Sequence, residues 1–92
     1  MPAMRLMITG RVQGVGYREW FRHQAEAAGV TGWVRNRRDG SVEAVIAATD
    51  ARVLDVLVTQ ARSGPAMALV ENVAVEAAPE PEAGPFRILP TA

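Results

Sequence analysis

Between Met4 and Ala28 the hydrophobic period changes from that of a strand to that of a helix, and the change occurs across Gly10-Arg11-Val12-Gln13-Gly14-Val15-Gly16-Tyr17-Arg18. Before this stretch Met4, Leu6 and Ile8 alternate with Arg5, Met7 and Thr9, as in a strand with one buried face. After it, from about Arg18 to Ala28, Trp20, Phe21, Ala25 and Ala28 recur at helical spacing, and Gly29-Val30 reads as a glycine stop with its apolar contact. A helix that follows a strand this closely must bury its apolar face on a sheet, so the chain builds at least two layers. The three glycines of the turn let the backbone bend and approach a ligand closely. Its amides and the start of the helix supply partial positive charge, and Arg18 adds a planar fork of donors suited to phosphate or carboxylate.

The remaining elements follow from the same periodicities. Thr31 to Arg37, with Trp33 and Val34, and Ser41 to Ala48, with Val42, Ala44 and Ile46, flank Asp39-Gly40 and predict a hairpin. Thr49 or Asp50 is placed to cap a second helix lined by Val53, Leu54, Leu57, Val58 and Ala61, which Ser63-Gly64-Pro65 ends. A strand over about Ala68 to Glu76 has a three-residue step between Val70 and Val73, which predicts a bulge. After an acidic loop, Phe86 to Leu89 predicts a short final strand before Pro90. The order predicts an α+β, ferredoxin-like two-layer sandwich: βαββαβ plus a short C-terminal strand, with an antiparallel sheet and two helices on one face. Its 92 residues are expected to form one domain, 1–92, with a single core.

Composition removes several chemistries. The absence of cysteine excludes disulfides, zinc thiolates and a cysteine nucleophile. All ten basic residues are arginine, so no lysine Schiff base or lysine phosphate clamp is available. The only histidine, His23, falls within the first helix, and no paired carboxylates or metal-ligand cluster lie near the glycine turn. No segment has the form of a leader or approaches the roughly 20 apolar residues of a membrane helix. A cytoplasmic protein without a membrane partner, acting as a monomer, is therefore expected. Net charge is zero, yet residues 1 to 38 hold seven arginines against two glutamates, net +5, and residues 39 to 92 hold three against eight acids, net −5. The positive half surrounds the turn and would draw in an anion.

Two long segments resemble the signatures of the acylphosphatases: Gly10 to Arg18, and Gly32-Trp33-Val34-Arg35-Asn36 followed by Asp39-Gly40-Ser41-Val42-Glu43. The likeness extends through Gly64-Pro65, Val70, Val73 and Val75 to Phe86 and Ile88. It implies a small ferredoxin-like enzyme, without metal or other cofactor, that hydrolyses the carboxyl-phosphate bond of an acyl phosphate to a carboxylate and inorganic phosphate. It further implies that Arg18 binds the phosphoryl group, that Asn36 positions the attacking water for in-line displacement without a covalent intermediate, and that the amides of Gln13, Gly14, Val15, Gly16 and Tyr17 form the phosphate loop with Arg18. Tyr17 stands where many members have phenylalanine, and Ala66 where a second proline is common.

Other readings of the same residues remain. Arg18 also reads as a helix-start surface arginine paired with Glu19 or Glu26, and Asn36 as a residue that satisfies backbone groups of the hairpin turn. Trp20, Phe21 and Trp33 read as core or sheet-face aromatics, with Trp33 near the acyl end as an alternative. A binding module for RNA or another phosphorylated ligand is a competing function. Five aromatic residues, three of them around the first helix, and zero net charge disfavour nucleic acid. A regulatory or carbamoyl-phosphate-handling role, as in the related domain of hydrogenase maturation proteins, is a third.

Overall fold

A computed structural model describes residues 1–92. Its elements are β1 (Ala3–Arg11), α1 (Tyr17–Ala27), β2 (Thr31–Asn36), β3 (Val42–Ala47), α2 (Ala51–Ser63), β4 (Leu69–Ala77) and β5 (Arg87–Ile88). The alternation along β1 divides the sheet into two faces: Leu6 and Ile8 are fully buried, and Arg5 and Met7 point the other way. Val34 on β2, Val42, Ala44 and Ile46 on β3, and Val73 on β4 continue the buried face. Phe21 and Ala25 of α1 and Leu54, Leu57, Val58 and Ala61 of α2 close over it as one continuous core.

The predicted helix limits hold within a residue or two, because the caps are local. α1 ends in a Schellman arrangement: Val30 N–H donates to Ala25 O at 2.9 Å and Gly29 N–H to Glu26 O at 3.1 Å. Asp50 caps α2, its Oδ1 accepting from Arg52 N–H at 2.9 Å.

The sheet order is β4-β1-β3-β2-β5. β1, β2, β3 and β4 pair antiparallel as expected, but β5 joins the outer edge of β2 in parallel, so the five-stranded sheet is mixed. β4 ends beside the start of β1, the end of the sheet at which β2 also starts, so a final strand that sets out from that end runs in the same direction as β2. Beyond β5 the chain stays on that edge: Leu89 N–H donates to Val34 O at 2.9 Å, Ala92 N–H to Asn36 O at 3.0 Å, and Arg38 N–H to Ala92 O at 2.9 Å.

The predicted bulge lies where β4 passes β1. Register slips between Thr9 and Gly10, leaving Glu71 without an opposite residue. Gly10 is pressed against this bulge, where a Cβ would collide with the Leu69 carbonyl and lie 2.7 Å from Glu71 N. Of the three motif glycines, Gly10 therefore serves sheet packing rather than ligand approach.

Candidate active site

β1 and β2 both run antiparallel to β3, which lies between them, so their C-terminal ends emerge on the same side of the sheet. That topology brings the Gly10–Arg18 stretch and Asn36 together, although 18 positions separate Arg18 from Asn36. A cleft of about 240 Å³ forms there, lined by Val12, Gln13, Gly14, Gly16, Tyr17, Arg18, Glu19, Asn36 and Ile88.

The loop from Val12 to Gly16 carries two glycines in the left-handed region, Gly14 at φ 71° and Gly16 at φ 77°. Both bends are needed to reverse the chain from strand to helix within so few residues. Gly16 is the N-cap of α1 and offers no side chain to cap it. Trp20 is the first helical residue whose amide is satisfied, donating to Gly16 O at 3.1 Å. The backbone amides from Gln13 to Glu19 meet no backbone carbonyl, so a run of donors at the positive end of a helix stays available.

Arg18 lines the cleft and enters no ion pair. The carboxylates that would have occupied it are engaged elsewhere. Glu19 contacts Arg22 and lies 3.3 Å from His23 Nε2, and Glu26 lies 3.3 Å from Arg22 Nη1. The bond from Arg22 holds the Glu19 carboxyl below its ordinary pKa. The surface-pair reading of Arg18 is thus not what the fold adopts.

Asn36 shares the parity of Val34 on β2, so its side chain turns toward the helical face and the cleft. Its Oδ1 is buried with no hydrogen-bond partner. Hairpin-turn groups are satisfied by Asp39 instead, whose Oδ1 accepts from Ser41 N–H at 2.9 Å and from Ser41 Oγ at 2.6 Å. An acceptor left unpaired in a buried position costs stability, which fits a group kept for a ligand.

Two loop side chains are held in place. Tyr17 is buried, and its hydroxyl donates to Ala61 O at 2.7 Å. Burial pushes its pKa well above the ordinary tyrosine value, so the hydroxyl keeps its proton. Gln13 faces the hairpin, where its Nε2 donates to Arg37 O at 2.7 Å and Ser41 O at 2.8 Å. Neither bond was legible in the sequence, because each ends on a carbonyl whose position only the folded chain defines. Ile88 and Glu19 also border the cleft without having been singled out.

The other arginines and aromatics lie elsewhere. Arg5, Arg35 and Arg37 converge on the buried Glu43 from the open face of the sheet, at 3.0, 2.8 and 3.2 Å. Arg5 Nε approaches Glu43 at an angle that makes an ion pair without a hydrogen bond. Trp33 lies on that open face beneath Arg35, whose guanidinium carbon is 4.7 Å from the ring centroid. Strand alternation therefore places Trp33 on the face of the sheet opposite Asn36 and the cleft. No three His, Asp or Glu side chains gather within reach of one metal ion, and no helix is long and apolar enough to cross a membrane.

Residues 4–88 match the acylphosphatase family model. The chain is 54% identical to an acylphosphatase of Rhodopseudomonas palustris over 80% of its own length and 74% of the relative's. It is 50% identical to an acylphosphatase of Bradyrhizobium diazoefficiens over 96% of its length and 94% of the relative's. Its fold superposes on a crystal structure of acylphosphatase from Bacillus subtilis with a TM-score of 0.90 and 31% identity, covering 97% of this chain and 99% of that one.

Proposed function

The chain belongs to the acylphosphatase family, hydrolases that act on small-molecule acyl phosphates, and from that premise we propose that Arg18 and the amides of Gln13 to Tyr17 bind the phosphoryl group while Asn36 positions the attacking water. One observation carries this reading. A single cleft contains an arginine without an ion pair, a run of unengaged amides and the partnerless Oδ1 of Asn36.

The division of labour follows from the reaction. Phosphoryl transfer asks a protein mainly to neutralise charge on the equatorial oxygens and to align nucleophile and leaving group. The Arg18 fork and the loop amides meet the first requirement. Asn36 meets the second: its Oδ1 accepts a hydrogen bond from the water, and its Nδ2 donates to a phosphate oxygen. It is no base, and none of comparable strength is needed in a loose transition state. The leaving carboxylate has a conjugate acid of pKa about 4, so it departs unprotonated at neutral pH and no general acid is required. Water attacks phosphorus in line, the P–O bond to the acyl group breaks, and the water's proton passes to solvent with the inorganic phosphate. The reaction proceeds without metal or covalent intermediate.

Hydrolysis of acetyl phosphate and benzoyl phosphate in the presence of a chelator tests this. Wild-type turnover is expected to persist with chelator. Arg18→Ala is expected to lose nearly all turnover together with inhibition by inorganic phosphate, and Asn36→Ala to lose turnover while phosphate inhibition persists. Unchanged turnover in Asn36→Ala would remove the water from its care.

A further inference from the structure

We infer that Gln13 is a positioning residue, whose side chain sets the distance between the phosphate loop and Asn36. The proposal rests on the assignment of the water to Asn36. It adds a role for a side chain that the mechanism above uses only through its backbone amide.

The cleft has two halves on separate pieces of chain. The loop and Arg18 belong to the β1–α1 connection, and Asn36 is the last residue of β2. Between them lies only the start of β3, and the side-chain hydrogen bonds that join the loop to the hairpin are those of Gln13. Its two amide hydrogens reach Arg37 O and Ser41 O, 24 and 28 positions away in the chain. These are the carbonyls that close the hairpin: Ser41 O also accepts from Arg37 N–H at 2.8 Å, and Arg37 O from Gly40 N–H at 3.1 Å. Each carbonyl has two lone pairs, so Gln13 takes the second of each. Arg37 directly follows Asn36, and Gln13 directly precedes Gly14, where the loop begins its left-handed bend. The amide is thus a strut from the first residue of the cradle to the residue beside the water-positioning asparagine.

A strut of this kind acts on alignment rather than on affinity. The phosphate half of the cleft is built within Gln13 to Arg18 and needs no hairpin to hold an anion. The water half is useful only at the correct separation, because in-line attack is sensitive to displacements of about 1 Å, which cost on the order of a hundredfold in rate.

The test is a double-mutant cycle in the full chain, using Gln13→Met, which keeps length without donors, and Asn36→Ala. In the wild-type background Gln13→Met is expected to lower kcat for acetyl phosphate by about tenfold to a hundredfold, with the inhibition constant of inorganic phosphate within about twofold of wild type. In the Asn36→Ala background the same substitution is expected to cost less than about twofold in residual turnover, since the group it positions is gone. Retained phosphate inhibition shows that the variant is folded with its cradle intact. The side-chain amide resonance of Asn36 gives a second readout independent of turnover, and it is expected to move in both Gln13→Met and Gln13→Glu. Equal kcat losses in both backgrounds, a loss of phosphate affinity matching that in kcat, or an unmoved Asn36 resonance would overturn the proposal. Wild-type turnover in Asn36→Ala would instead overturn the assignment of the water, and with it the object that Gln13 is held to position.

Discussion

At the scale of single residues, what the site demands of the chain is mostly conformational. Around Gly14 and Gly16 nothing lies within 4 Å of where a Cβ would sit, so alanine would fit in space but not in backbone. Gly16→Ala is expected to cost about 1–2 kcal/mol, the penalty of a left-handed residue with a Cβ, and to weaken inhibition by inorganic phosphate as the loop relaxes. Urea unfolding read beside phosphate inhibition checks both, and a variant unchanged in each would show that this turn tolerates a side chain. Arg18 and Asn36 were legible in the sequence because each sits in a long motif whose spacing matches a known pattern. The unpaired state of Arg18 was not, since Glu19 and Glu26 both stood as candidate partners and the fold spent both on Arg22.

Between elements, α2 depends on α1 for its last turn. Ala61 O would accept from the amide four residues on, but that residue is Pro65, which has no N–H. The Tyr17 hydroxyl fills the place from the first residue of α1. Tyr17→Phe leaves that carbonyl without its partner and is expected to cost about 1–2 kcal/mol by urea unfolding. The same hydroxyl gives a pH signature. Tyr17 is the only tyrosine, and without lysine or cysteine no other side chain titrates between about pH 8 and pH 12. Burial raises its folded pKa, so the unfolded chain loses the proton first, near pH 10. Above that pH the folded state binds more protons than the unfolded one, and stability falls as pH rises. The urea midpoint of the wild type is expected to drop between about pH 10 and pH 12, and that of Tyr17→Phe to stay level. Element types and limits were readable because caps and periodicity are local. The link from Tyr17 to Ala61 was not, because it joins two helices through a proline's missing donor.

For the molecule as a whole, the sandwich was legible and one strand direction was not. Antiparallel pairing of the four longer strands follows from their order, whereas β5 has two residues and no pattern to state which edge it takes. Its position matters because the segment after it borders the site through Ala92 and Asn36. Removing residues 89–92 takes away the bonds to Val34 O, Asn36 O and Arg38 N–H, and it is expected to lower kcat for acetyl phosphate while inhibition by phosphate persists. Loss of phosphate inhibition instead would mean that this segment supports the cradle.

The edge bonds of Asn36 also have a consequence for how the protein is made. In order of synthesis the two sides of the cleft, Gly10 to Arg18 and Asn36, precede the segment whose Ala92 N–H bonds to Asn36 O. A chain that stops short of Arg87 lacks the pairing of β5 with β2 and the bonds to Val34 O, Asn36 O and Arg38 N–H. On the roles proposed for Arg18 and Asn36, a product terminated before Arg87 is therefore expected to bind phosphate better than it turns an acyl phosphate over.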